Sequence, residues 1–138
     1  MNRLFVDTSA FAALADRDDD NHASAVAFNK QMKGHILVST NYILDELYTL
    51  LLLHAGYAKT VSFKADLDIL VAKGLLRIVW ISDAIAQSSW EVFEQFNTDK
   101  EWSFTDCTSY VVMKQHRLTE VFTFEHHFSQ MGFTRLPI

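Results

Sequence analysis

The chain has 138 residues, enough for one hydrophobic core, and its 49% apolar content is too high for a disordered segment. Seventeen Asp and Glu against 12 Lys and Arg give a formal charge of −5, which excludes tight, sequence-blind attraction to nucleic acid through bulk charge. A single cysteine, Cys107, excludes an internal disulfide and fits a reducing cytoplasm.

Leu4, Phe5 and Val6 form a short apolar run with strong β propensity, suited to a strand buried on both faces. Asp7 interrupts that run before a signal-peptide core could form. Thr8 and Ser9 are placed to cap a helix beginning near Phe11. Asp16 to Asn21 is a polar, acidic turn, read as a solvated loop. Asn21 would cap a second helix carrying Ala25, Phe28 and Met32 at helical spacing, and Gly34 would stop it. Ile36 to Val38 is a second buried strand.

A third helix runs from about Tyr42 to His54. It is apolar on nearly all sides, which predicts burial on more than one face. The apolar run Leu47 to Leu53 inside it is far too short to span a bilayer. A fourth helix, about Ala58 to Ala72, carries Val61, Ala65, Ile69 and Ala72 along one predicted core face. Leu75 to Ile81 reads as a third strand. Ser82 and Asp83 open a fifth helix to Phe96. Asn97 to Glu101 is a polar loop, and Ser103 or Thr105 caps a sixth helix through Gln115. Val121 and Phe122 make a fourth strand, Phe124 to Met131 a last short helix, and Phe133 to Leu136 an edge strand. Short apolar strands separated by helices predict an α/β fold with a mainly parallel central sheet, formed as one domain over residues 1–138.

Four acids stand out by position. Asp7 follows the first strand, where open α/β sheets place their ligands. Glu46 lies inside the apolar third helix, where a carboxylate beside leucines is costly unless compensated. Asp106 lies at the start of the sixth helix, and Glu125 follows the fourth strand. Each has a plain structural reading. Asp7 caps a helix; Glu46 reaches solvent or pairs with a cation; Asp106 completes the capping box Ser103-x-x-Asp106; Glu125 is an N-terminal helix acid favoured by the dipole. Nothing structural asks for all four together. Hard oxygen donors gathered at one sheet edge suit Mg2+ or Mn2+ and the hydrolysis of a phosphodiester.

These pieces resemble the PIN-domain ribonucleases, and among them the VapC-type toxins of bacterial toxin–antitoxin pairs. The matching stretches are Phe5-Val6-Asp7-Thr8-Ser9, Leu44-Asp45-Glu46-Leu47, Ser103-Phe104-Thr105-Asp106-Cys107 and Phe122-Thr123-Phe124-Glu125-His126-His127-Phe128, in family order over the full chain. The resemblance implies a three-layer PIN-like fold and a Mg2+- or Mn2+-dependent endoribonuclease. It implies Asp7, Glu46 and Asp106 as metal ligands, with Asp45 outside the set and with Thr8, Ser9 and Thr105 as supporting hydroxyls. Glu125 stands where the family usually has Asp. One methylene longer, it would reach a second metal through water or only orient a ligand. An RNA substrate, a cognate antitoxin and a homodimer are implied as partners.

The residues themselves leave rivals open. A PIN-type RNA-processing nuclease outside any toxin–antitoxin pair would carry the same acids. A phosphatase or phosphotransferase with Asp7 as nucleophile would need a second Asp two residues on, where Ser9 stands. A non-catalytic module is favoured only by Glu125. His126 and His127 near Glu125 suggest zinc, but adjacent histidines point in different directions and there is no H-E-x-x-H; His22, His35, His54 and His116 read as surface or satisfied residues. Lys59, Lys64, Lys73, Arg77, Lys100, Lys114 and Arg117 are candidate phosphate contacts, though a solvated face explains most of them. Trp102 is a candidate base-stacking residue, with core packing as its alternative.

Overall fold

The computed structural model describes residues 2–138. Twelve elements follow one another among these residues. They are β1 (Arg3–Val6), α1 (Thr8–Ala15), α2 (His22–Gln31), β2 (Ile36–Thr40), α3 (Asn41–Ala55), α4 (Tyr57–Ala72), β3 (Leu76–Val79), α5 (Asp83–Phe96), α6 (Phe104–Gln115), β4 (Glu120–Phe122), α7 (His127–Gln130) and β5 (Thr134–Leu136). The strands form one sheet in the order β3-β2-β1-β4-β5, and every pairing is parallel. Helix α1 packs on α2 and on α3, α3 packs on α4, and α5 packs on α6.

Strand β1 occupies the centre because Leu4, Phe5 and Val6 are apolar on both faces; all three are buried. From it the chain builds outward through β2 to β3, then returns to lay β4 on the opposite side. Open sheets create a crevice at such a reversal, at the carboxyl ends of the strands. The residues that leave β1 and β4, Asp7 and Thr123, therefore emerge side by side. The Asp7 amide donates to the Phe122 carbonyl at 3.1 Å.

Five expectations require correction. Thr8 and Ser9 do not cap α1 but belong to its first turn, and Asp7 holds the N-cap position without a side-chain cap bond. Asn21 precedes α2 without capping it; its amide donates to Asp19 Oδ1 within the acidic turn. The last helix is confined to His127–Gln130; ahead of it the amides of Phe124 and Glu125 donate to the hydroxyls of Ser9 and Thr123. In α4 the predicted core face points outward: Val61 and Ile69 are exposed, while Leu67 is buried and Phe63 and Leu70 pack on the core. That helix carries two apolar stripes, and periodicity alone does not say which one meets α3. Helix α3 is likewise buried on one face only, through Ile43, Leu47 and Leu51, with Leu52 and Leu53 exposed.

Candidate active site

A cavity of about 210 Å³ opens at the carboxyl ends of β1 and β4. Its walls are Asp7, Thr8 and Ser9 from the start of α1, Glu46 and Leu50 from α3, Ser103 and Asp106 from the start of α6, and Glu125 and His127 after β4. All four acids singled out from the sequence thus face one space, delivered by four different parts of the chain. Asp45 does not; it is exposed and lines a different cavity with Tyr42 and Trp80. Thr105 is also absent from the wall.

Asp7 is 4% exposed. Its Oδ2 accepts hydrogen bonds from Thr123 Oγ1 at 2.9 Å and from Ser9 Oγ at 3.1 Å. Burial raises its pKa from 3.8 to about 6, the Thr123 hydrogen bond pulls it down, and the nearby Asp106 charge pushes it up. Thr123 is itself buried, and its Oγ1 also accepts the Glu125 amide at 3.0 Å. One hydroxyl therefore ties the first carboxylate to the loop that carries the fourth.

Asp106 does complete the capping box. Its amide donates to Ser103 Oγ at 2.9 Å, and its Oδ2 accepts the Ser103 amide at 3.1 Å. That structural role does not exhaust it, since the same Oδ2 meets His127 Nδ1 at 3.0 Å. Glu46 reaches the cavity beside Leu50, one helical turn on. Glu125 is exposed and borders both this cavity and an adjoining one of about 480 Å³. The larger space is walled by the acidic turn Asp16 to Asn21, His54 and Phe124.

No lysine or arginine is among the cavity's lining residues. Carboxylates gathered without a counter-charge repel one another, and among the described residues no three His, Cys, Asp or Glu side chains are drawn together into a metal-holding group. The donor chemistry nonetheless fits a hard divalent cation: carboxylate oxygens from three elements, plus Thr8 Oγ1, which is buried without a hydrogen-bond partner. A buried hydroxyl left unpaired is costly, and a ligand in the cavity would satisfy it.

The remaining candidates separate cleanly. Trp102 is core, with its Nε1 donating to Gln130 Oε1 at 2.8 Å, so it offers no stacking face. Cys107 is fully buried, and burial and the Asp106 charge push its thiol up to about 11, which makes it inert. Lys64 and Lys100 pair with Asp68 and Asp99. Reading the sequence missed Thr123 and His127. The available signal was the run of polar residues Thr123, Glu125, His126 and His127 directly after a buried strand.

The sequence matches the PIN domain across residues 4–134, nearly the whole of it. The chain belongs to the PIN-domain family. Within that family it is of the VapC type. It is 28% identical over 133 residues to the 23S rRNA-specific endonuclease VapC20 of Mycobacterium tuberculosis, covering 96% of this chain and 97% of that one. It is 32% identical over 127 residues to a VapC ribonuclease of Archaeoglobus fulgidus, covering 90% of this chain and 78% of the relative. The crystal structure of VapC20, described as a toxin cleaving the sarcin–ricin loop, superposes with a TM-score of 0.85 at 27% identity, over 95% of this chain and 96% of that one. FitAcB of Neisseria gonorrhoeae shares the fold at 19% identity, with a TM-score of 0.68 over 96% of this chain and 95% of that one. The five-stranded parallel sheet found here is thus the PIN fold.

Proposed function

We propose that this PIN protein is a divalent-metal-dependent endoribonuclease, acting as the toxin of a toxin–antitoxin pair. The observation that carries the reading is the convergence of Asp7, Glu46, Asp106 and Glu125 on one cavity with no lysine or arginine in its wall. The RNA substrate and the antitoxin follow from what the VapC relatives are named for; VapC20's own target is not transferred.

Asp7, Glu46 and Asp106 would hold the cation, with Glu125 at the rim and Mg2+ or Mn2+ as the hard ions that suit them. When bound, the cation supplies Lewis acidity and a water of lowered pKa. The protein's own part is positional. Thr123 and Ser9 fix the Asp7 carboxylate through its Oδ2. Ser103 fixes Asp106 through the cap of α6. Leu50 narrows the apolar side of the cavity beside Glu46. Glu125, exposed at the mouth, is the acid most open to an incoming strand.

The phosphoryl-transfer rival is weaker on this geometry. An attacking Asp7 carboxylate would need access, and it is 4% exposed with one oxygen already bonded twice. Leu52, Leu53 and Tyr57, exposed where α3 passes into α4, support an apolar interface for an antitoxin or a second copy. Among the described residues no helix is long and apolar enough to cross a membrane.

The test is cleavage of RNA by wild type and Asp7→Asn with Mg2+, Mn2+ or EDTA. Cleavage should require the metal and fall about 100-fold or more in the variant. Full cleavage in EDTA, or by the folded variant, would overturn the reading.

A further inference from the structure

Asp106 carries two hydrogen bonds on one oxygen. Its Oδ2 accepts from the Ser103 amide at 3.1 Å and meets His127 Nδ1 at 3.0 Å, while Oδ1 accepts none among the described residues. A carboxylate can only accept, so with Asp106 in that form this bond assigns the tautomer of His127 with its hydrogen on Nδ1. Both side chains are largely screened from solvent, at 14% exposure for Asp106 and 22% for His127. Both line the acidic cavity.

The two bonds on Oδ2 differ in kind. The Ser103 amide belongs to the same helix terminus and holds Asp106 to its own backbone. The His127 bond crosses from α7 to α6, between residues 21 apart. Thr123, four residues before His127, grips Asp7 in the same manner, also through Oδ2. The stretch after β4 thus clasps two carboxylates from two other elements.

We propose that His127 is a positioning residue: its Nδ1 hydrogen bond to Oδ2 sets the Asp106 carboxylate so that Oδ1 is the oxygen available to a divalent cation. This rests on the metal-nuclease reading above. Outer groups that orient a ligating carboxylate commonly govern metal affinity by about 10- to 100-fold. Glu125, lying between Thr123 and His127 with an exposed side chain, is then spared from being a tight ligand. That is consistent with Glu where the family usually places Asp.

Mn2+ binding to the whole chain, measured by calorimetry without RNA, tests this with His127→Asn, His127→Gln and Asp106→Asn. Asparagine carries its amide nitrogen close to where histidine carries Nδ1; glutamine carries it one atom further out. His127→Gln should bind Mn2+ about tenfold or more weakly, and His127→Asn within about threefold of wild type. If both variants bind like wild type and only melt earlier, His127 merely staples α7 to α6 and the inference fails. Equal loss in both overturns it too, because the donor position would then be irrelevant. If Asp106→Asn itself binds Mn2+ normally, the metal-site reading falls and takes the inference with it. If Asp106→Asn loses binding while His127→Gln keeps it, only the inference falls.

Discussion

Asp7 concentrates the physics of the site in one carboxyl group. It is buried, its pKa is raised from 3.8 to about 6, and burial is the largest cause. Between those two values the folded state holds more protons than the unfolded state. Metal-free stability should therefore fall as pH rises through this window and level off above it, by on the order of 3 kcal/mol in total. Asp7→Asn removes the buried charge. In EDTA at pH 8 the variant should melt above wild type, and the difference should vanish near pH 4. Thr123→Val should have the opposite character. It keeps the shape but deletes the donor to Asp7 and the acceptor of the Glu125 amide, at a cost of about 1–3 kcal/mol in denaturant unfolding. Because the Thr123 bond lowers the Asp7 pKa, the acid limb of the cleavage profile should also move to higher pH. Asp7 was legible in the sequence because it ends an apolar run. Thr123 and His127 were not, because their meaning lies in contacts across 116 and 21 residues that only the β1–β4 pairing creates.

Among the elements, α6 was the most readable and α4 the least. The spacing Ser103-x-x-Asp106 states its chemistry locally, and the capping box is present. Ser103→Ala should cost about 1 kcal/mol, read as a lower denaturation midpoint. It should also weaken Mn2+ binding, since the helix end holds Asp106; unchanged binding would make the cap purely structural. In α4 the rule of helical spacing applies equally to two faces, and Phe63, Leu67 and Leu70 pack inward in place of Val61 and Ile69. No local pattern ranks one stripe over the other; the packing of α3 on α4 decides. Helix α7 begins later than its sequence suggests for a related reason. The stretch between β4 and α7 is instead tied to α1 through Ser9, which accepts the Phe124 amide, and to Asp7 through Thr123.

For the molecule as a whole, a cavity of acids without a lysine or arginine is a store of repulsion that a bound cation would relieve. Mn2+ at 100 times its dissociation constant should add about 2.7 kcal/mol to wild-type stability and leave Asp7→Asn nearly unmoved in thermal melts. The parallel topology was legible from strands alternating with helices, and with it the edge where the acids meet. The outward apolar residues were not, since Leu53, at 74% exposure, reads from sequence as core. Leu53→Glu should weaken capture of the antitoxin while leaving the cleavage rate of the free protein intact. The long reach from Asp7 to Thr123 also governs when the protein can act during its own synthesis. A growing chain that has released β1 through α6 already carries Asp7, Glu46 and Asp106. It still lacks the strand that flanks β1 on its far side and the hydroxyl that steadies Asp7. The acidic cavity is walled by Glu125 and His127 as well, so it is complete only once β4 and the stretch after it have been translated and docked.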